Sequence, residues 1–101
     1  MPTELIDYYA SGNSLVCELD ANPFLCEFWP RNELDRYNLE YQVSKCAPGY
    51  IGFATNGGGE MFAISPVGSV VCLPFIGMEA SAATMVAPSW SAFVNMLRDA
   101  A

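Results

Sequence analysis

The sequence predicts an α+β fold in which an antiparallel sheet of about five to six strands is flanked by helices. Short β-type segments are joined by tight turns rich in glycine, asparagine and proline, which suit antiparallel neighbours. Segments with helical periodicity alternate irregularly with these strands, whereas βαβ units would place a helix after each strand. The length of 101 residues matches a single domain, so residues 1–101 are expected to fold together.

The N-terminal elements are a short helix and a hairpin. Residues 3–10 carry apolar side chains at i, i+3 and i+4, which predicts a helix that Thr3 caps. Residues 14–18 and 24–28 are predicted strands on either side of the turn at 20–23. We expect these two strands to pair.

A Trp-Pro pair then introduces an amphipathic helix over residues 31–41. Proline suits a first helical turn, where its missing N–H costs nothing. Leu34, Tyr37 and Tyr41 lie at i, i+3 and i+7 on one face, and the charged residues lie elsewhere. This helix therefore has one face for packing and one for water.

The central segment contains the clearest strands. Residues 50–55 and 60–65 are joined by Asn56–Gly59, and such a tight loop suits asparagine and glycine because they adopt positive φ cheaply. A Pro-Val-Gly turn leads to a further strand at 69–75. Met85-Val86 could extend another strand.

The last element is predicted as a helix over residues 89–98. Its apolar side chains repeat at i, i+3, i+4 and i+7 from Trp90 onward, and a Pro-Ser pair supplies the start signal.

Composition excludes several kinds of chemistry. The chain has 11 acidic residues, 4 basic residues and no histidine, for a formal charge of −7. Without histidine, a Ser-His-Asp triad, a Cys-His pair and an imidazole metal site are all excluded. The basic residues form neither a phosphate loop nor a patch, so no nucleic-acid partner is expected. The negative charge either keeps the protein soluble or attracts a basic partner.

The cysteines predict reduced thiols in a cytoplasmic protein. None forms a CxxC pair, and the acidic start MPTELIDYYA lacks the features of a signal peptide. No apolar run is long enough for a membrane span. We expect no membrane contact, no cofactor and no metal, although a zinc site built from all four cysteines stays open. They are Cys17, Cys26, Cys46 and Cys72.

No catalytic constellation emerges from the remaining residues. The glycine-rich loop could cradle phosphate, but it joins two strands and leads to no helix. Glu60 and Glu27 are the best acid/base candidates, but an ordinary solvated carboxylate is the favoured interpretation of each. The aromatic residues suit core packing, although Tyr8, Tyr37 and Tyr41 could also anchor an interface. We therefore expect a binding module rather than an enzyme, with a carboxylate-based hydrolase as a remote alternative.

Four stretches carry a family resemblance: FWPRNELDRYNLEY (28–41), PGYIGFATNGGGEMFAI (48–64), VGSVVCLPF (67–75) and APSWSAFVNML (87–97). In this order they resemble the SUKH superfamily, the Smi/Knr-type domain. ELIDYYASGN at 4–13 stands for only the end of the usual N-terminal region, so the chain resembles a short member. Asn56 replaces the more usual aspartate of the glycine turn, which argues against an ionic role there.

The resemblance implies a non-catalytic protein-binding domain. Family members are best known as bacterial immunity proteins that neutralise toxins such as nucleases and deaminases, and others are regulatory adaptors. An acidic protein would be steered to the basic cleft of such a toxin. The alternative is a small-ligand-binding or regulatory adaptor domain, with a groove beside the sheet. The expected partner-binding residues are Asp7, Asp20, Glu27, Glu33, Asp35, Tyr37 and Glu40.

Self-association is a further expectation. Hydrophobic residues make up 52% of the chain and charged residues 15%, which is apolar for a domain of this size. We expect a homodimer formed through a sheet edge or an exposed apolar patch.

Overall fold

The computed structural model describes residues 2–99 and contains one sheet with helices on both faces. The α+β class is confirmed. The helices are α1 (Thr3–Ala10), α2 (Leu34–Glu40), α3 (Val43–Cys46) and α4 (Trp90–Met96). The strands are β1 (Val16–Glu18), β2 (Leu25–Phe28), β3 (Ile51–Thr55), β4 (Glu60–Ile64), β5 (Val70–Pro74), β6 (Thr84–Ala87) and β7 (Arg98–Asp99).

The sheet has seven strands in the order β6-β5-β4-β3-β2-β1-β7, and every neighbouring pair is antiparallel. The predicted count of five to six strands was too low because β7 carries no local signal. The last helix ends at Met96, and Leu97 already has extended backbone geometry. Arg98, predicted as helical, instead pairs with Glu18 of β1.

Two predicted helix starts differ from the structure. Thr3 is the first residue of α1 and does not cap it, because Pro2 occupies the cap position and no side-chain cap bond forms. The helix predicted over 31–41 opens with a 3₁₀ turn at Arg31–Glu33 and becomes α-helical at Leu34. Both predicted hairpins, β1–β2 and β3–β4, are confirmed.

One face of the sheet packs against α1 and α4 through aromatic side chains. Tyr8 of α1 stacks on Phe28 of β2 with ring centroids 4.5 Å apart. Phe53 contacts both Trp90 and Phe93 of α4, at 5.3 and 5.7 Å between centroids. These rings are buried, so this layer is the main hydrophobic core.

The opposite face is covered by α2 and α3 only in its middle. Asn38 of α2 donates to the carbonyl of Gly52 and accepts from its N–H, each at 2.8 Å. This pairing fastens α2 to β3 and satisfies both backbone groups of a buried residue. Strands β1 and β2 stay uncovered here, so Val16 and Glu27 are exposed.

The four cysteines are free, and three of them are buried. Burial raises the pKa of the Cys26 thiol, and it raises the pKa of the Cys72 thiol to about 12. These thiols therefore stay protonated at neutral pH and pack as small hydrophobes. Within residues 2–99 no cluster of cysteine and carboxylate side chains could hold a metal. None of the helices there has the length and apolar character to cross a membrane.

Candidate partner-binding site

An open groove of about 740 Å³ lies where β2, the β3–β4 loop and α2 meet, on the partly covered face of the sheet. One wall is aromatic and the other combines a carboxylate with the glycine loop at 57–59. The side chains that define its chemistry are Glu27, Trp29, Tyr37, Tyr41, Phe75 and Ile76.

The aromatic wall is a continuous chain of ring contacts. Trp29 lies 5.0 Å from Tyr37 and 5.9 Å from Tyr41, measured between ring centroids. Tyr41 in turn lies 4.7 Å from Phe75. Because Tyr37 and Tyr41 are four residues apart at the end of α2, helical geometry places both on the groove side.

Trp29 is held from both sides of the sheet. The backbone N–H of Trp29 donates to the carbonyl of Phe53 at 2.9 Å. The hydroxyl of Tyr9 on α1 donates to the backbone carbonyl of Trp29. Burial raises the pKa of Tyr9, so this hydroxyl keeps its proton. The wall is therefore anchored to the core through backbone hydrogen bonds.

Exposure increases along the aromatic wall toward the groove mouth. Trp29 is 7% exposed, Tyr37 is half-buried, and Tyr41 is 43% exposed. Ile76, beyond Phe75, is 93% exposed. Large apolar side chains that stay accessible beside a cavity are typical of a binding surface.

Glu27 is the carboxylate of the groove. It lies opposite Thr55 across β2 and β3, and its Oε1 is 3.8 Å from where a Cβ at Gly57 would lie. No ion pair joins it to another of the described residues. The groove therefore carries an uncompensated negative charge next to aromatic rings.

The backbone N–H groups of the glycine loop donate hydrogen bonds to side chains at the start of the same loop. The N–H of Gly57 donates to the Thr55 hydroxyl at 3.2 Å, and those of Gly58 and Glu60 donate to Asn56 Oδ1 at 2.9 and 3.3 Å. Gly57 has a φ of 80°, which explains the glycine there. Because these amides already have acceptors, the loop is a hairpin turn rather than a phosphate cradle.

The structure brings together only two of the seven predicted partner-binding residues, Glu27 and Tyr37, within the described groove. Asp35 lines a separate hollow formed with Asn38 and Tyr50. Asp7 is exposed on α1, where it lines an open hollow against α4.

The other three predicted carboxylates are already paired. Arg36 bridges Glu33 and Glu40 on the outer face of α2, contacting Glu40 at 3.1 Å. Asp20 accepts two hydrogen bonds from Arg98, at 3.0 and 2.6 Å, and this lowers the pKa of its carboxyl. Because each has an arginine partner, these acids offer less charge to a binding partner than Glu27 does.

Sequence reasoning missed Trp29, Phe75 and Ile76 as groove residues. Trp29 was assigned to core packing, and Phe75 to the end of a strand. The one feature of the sequence that indicated the groove is the spacing of Tyr37 and Tyr41. These two residues share a helix face with no charged residue between them on that face. Their neighbours from β2 and from beyond β5 come close only in the folded chain.

The chain is thus a small α+β domain with an exposed aromatic surface beside an open groove. The chain belongs to the SMI1 / KNR4 family (SUKH-1), whose family model matches residues 1–96. That match also covers the N-terminal segment, which the four matching sequence stretches did not reach. No curated protein sequence matches the chain significantly. Membership of this family agrees with a non-catalytic domain of the immunity type.

Proposed function

We propose that this domain is an immunity-type protein that binds a basic toxin, of the nuclease or deaminase kind, through the aromatic groove. The observation that carries the proposal is the groove itself, which combines accessible aromatic side chains on one wall with one uncompensated carboxylate on the other. Membership of the family supports the immunity-type role, and the groove supports the position of the binding site.

The aromatic side chains provide the anchor that such binding needs. Interface energy is concentrated in a few residues, and tyrosine and tryptophan are enriched among them. Tyr41 combines an exposed ring with rigid support from Trp29 and Phe75. Covering this ring and Ile76 would remove apolar surface from water without reorganising the core.

Charge supplies steering and selectivity. The formal charge of −7 attracts a positively charged surface over distances longer than a contact. Nuclease and deaminase clefts are basic because they bind phosphate backbones. An acidic domain docked over such a cleft would block substrate entry, and no catalytic residue in the domain is required.

The test uses the polypeptide encoded by the neighbouring gene, which we expect to be toxic when it is expressed alone. We expect co-expression of the chain to restore growth and the two proteins to form a stable complex in gel filtration. Tyr41→Ala should weaken the complex at least about tenfold, as for a central aromatic anchor. Leu39→Ala is the matched control, because Leu39 is exposed on the same helix but lines a different hollow. Normal toxicity in the presence of folded protein would contradict the proposal.

The groove also favours a second candidate, a small-ligand-binding adaptor. Its volume of about 740 Å³ lies within the usual range for ligand sites, and tyrosines line it. A thermal-shift screen of metabolites would separate the two functions. Stabilisation by a compound, lost in Tyr41→Ala and accompanied by no protein complex, would favour the adaptor.

The hydrolase alternative receives no support from the groove. Two carboxylates must flank the scissile bond in such an enzyme. Within the described residues, Glu27 is the single carboxylate of the groove lining.

A further inference from the structure

We infer that the groove seats one arginine side chain of the protein partner, stacked on the aromatic wall and paired with Glu27. The inference rests on the proposed function and deepens it by naming the group that enters the site. It follows from the shape, the charge and the side chains of the groove.

The two walls match the two ways in which a guanidinium is recognised. The planar cation stacks on aromatic faces, and its N–H groups bind a carboxylate in a fork. The groove offers the accessible ring of Tyr41, supported by Trp29 and Phe75, on one side and the Glu27 carboxylate on the other. A lysine ammonium is more strongly hydrated and cannot stack, so it fits this combination less well.

None of the described basic side chains forms an ion pair with Glu27. Among the described residues that line the groove, none is basic. Arg36 is engaged with Glu33 and Glu40 outside the groove, and Arg98 is engaged with Asp20. The carboxylate of Glu27 is therefore free to pair with a positive group from another molecule.

The same arrangement already occurs once within the chain. The guanidinium of Arg36 lies over the Tyr37 ring, 4.9 Å from its centroid, while it pairs with carboxylates on α2. A tyrosine ring and two glutamate side chains thus already hold one arginine of this chain. On the groove side, Tyr41 and Glu27 present the same two groups with no arginine between them.

The test is an NMR titration of the full ¹⁵N-labelled chain with short neutral-ended peptides. Each peptide contains one arginine, citrulline, lysine or glutamate between glycine and serine residues. We expect the arginine peptide to shift the amides of Glu27, Thr55 and Gly57–Gly59. Citrulline has the same shape without the charge and should bind at least about fivefold more weakly.

Matched variants assign the effect to the groove. Glu27→Gln removes the charge at constant size and should weaken the arginine peptide about three- to tenfold. Glu4→Gln makes the same change of charge on α1, outside the groove, and should leave the affinity unchanged. Equal effects of the two variants, or equal binding of arginine and citrulline, would overturn the inference.

The remaining outcomes separate this inference from the proposed function. A toxin complex weakened by Tyr41→Ala but unchanged by Glu27→Gln would keep the docking site and overturn the arginine seat. If free arginine binds as tightly as the peptide and no protein complex forms, the groove binds a small molecule. This result would overturn the claim that a protein partner supplies the arginine. Loss of toxin binding in Glu27→Gln, restored by Glu27→Asp, would support both.

Discussion

Gly52 is the residue at which the sheet, α2 and the groove wall come closest together. Its backbone is paired with Asn38, and a Cβ there would lie 3.2 Å from the Trp29 ring and closer still to Met61 Sδ. Both neighbours are buried and the indole is rigid. The glycine is required by this lack of space rather than by an unusual backbone angle.

We therefore expect Gly52→Ala to destabilise the fold by about 1–3 kcal/mol, the usual cost of overpacking a core. It should also weaken partner binding, because Trp29 must shift to make room. Gly59→Ala is the matched control: a Cβ there meets no atom within 4 Å, and its effect should stay within about 0.5 kcal/mol. Urea unfolding followed by tryptophan fluorescence measures both variants, and equal stabilities would contradict the crowding argument.

At the scale of elements, the sequence pattern predicted the helices and turns whose formation depends mainly on neighbouring residues. The stripes of α1, α2 and α4 and the glycine turn of the β3–β4 hairpin are visible in the sequence, and each was predicted. Ser89 caps α4 by accepting from the N–H of Ala92 at 3.1 Å, as its start signal indicated. The two-residue strand β7 was missed because its pairing with β1 depends on residues far away in the chain.

The groove was also missed because it is formed by residues that lie far apart in the chain. Glu27 and Tyr37 were predicted as contact residues from charge and residue type. Their meeting with Trp29 and Phe75 depends on how α2 packs across the sheet, and Asn38 fixes that packing through one backbone position. The pairing of Asp20 with Arg98 was equally invisible, because the two residues lie far apart in the chain. The spacing of Glu33 and Glu40 from Arg36, in contrast, is that of neighbours on a helix surface and could have been read from the sequence.

Strand β7 is anchored by the Asp20–Arg98 pair, which should make its stability depend on pH. Arg98 lowers the pKa of Asp20 in the folded chain relative to the unfolded chain. The pair therefore stabilises the fold above the ordinary aspartate pKa of about 3.9, and this contribution is lost as the pH falls through the lowered value. The effect is small because both side chains are exposed.

We expect Asp20→Asn to lower the urea midpoint slightly at pH 7 and to match the parent chain at low pH, where the parent carboxyl is protonated. Amide exchange of β7 at neutral pH should be faster in the variant. Asp35→Asn is the control, since Asp35 is exposed and forms no ion pair among residues 2–99. A difference between parent and Asp20→Asn that persists unchanged at low pH would contradict the role of this carboxylate.

At the scale of the whole molecule, the two edges of the sheet differ in their protection. Edge β7 is two residues long, and both are charged, which discourages pairing with another chain. Edge β6 contains Thr84–Ala87 with no charged residue, and Met85 on it is 62% exposed. Charged side chains normally guard such an edge, so β6 is the edge at which the expected homodimer should form.

Pairing of β6 with β6 from a second copy would extend the sheet across a twofold axis and leave the groove of each copy open. We expect sedimentation equilibrium at tens of micromolar to show a dimer, and Met85→Lys to convert it to a monomer. Val67→Lys is the control, because Val67 is 89% exposed but lies in the turn between β4 and β5. A monomeric parent chain would contradict self-association, and a dimer that survives Met85→Lys would move the interface away from β6.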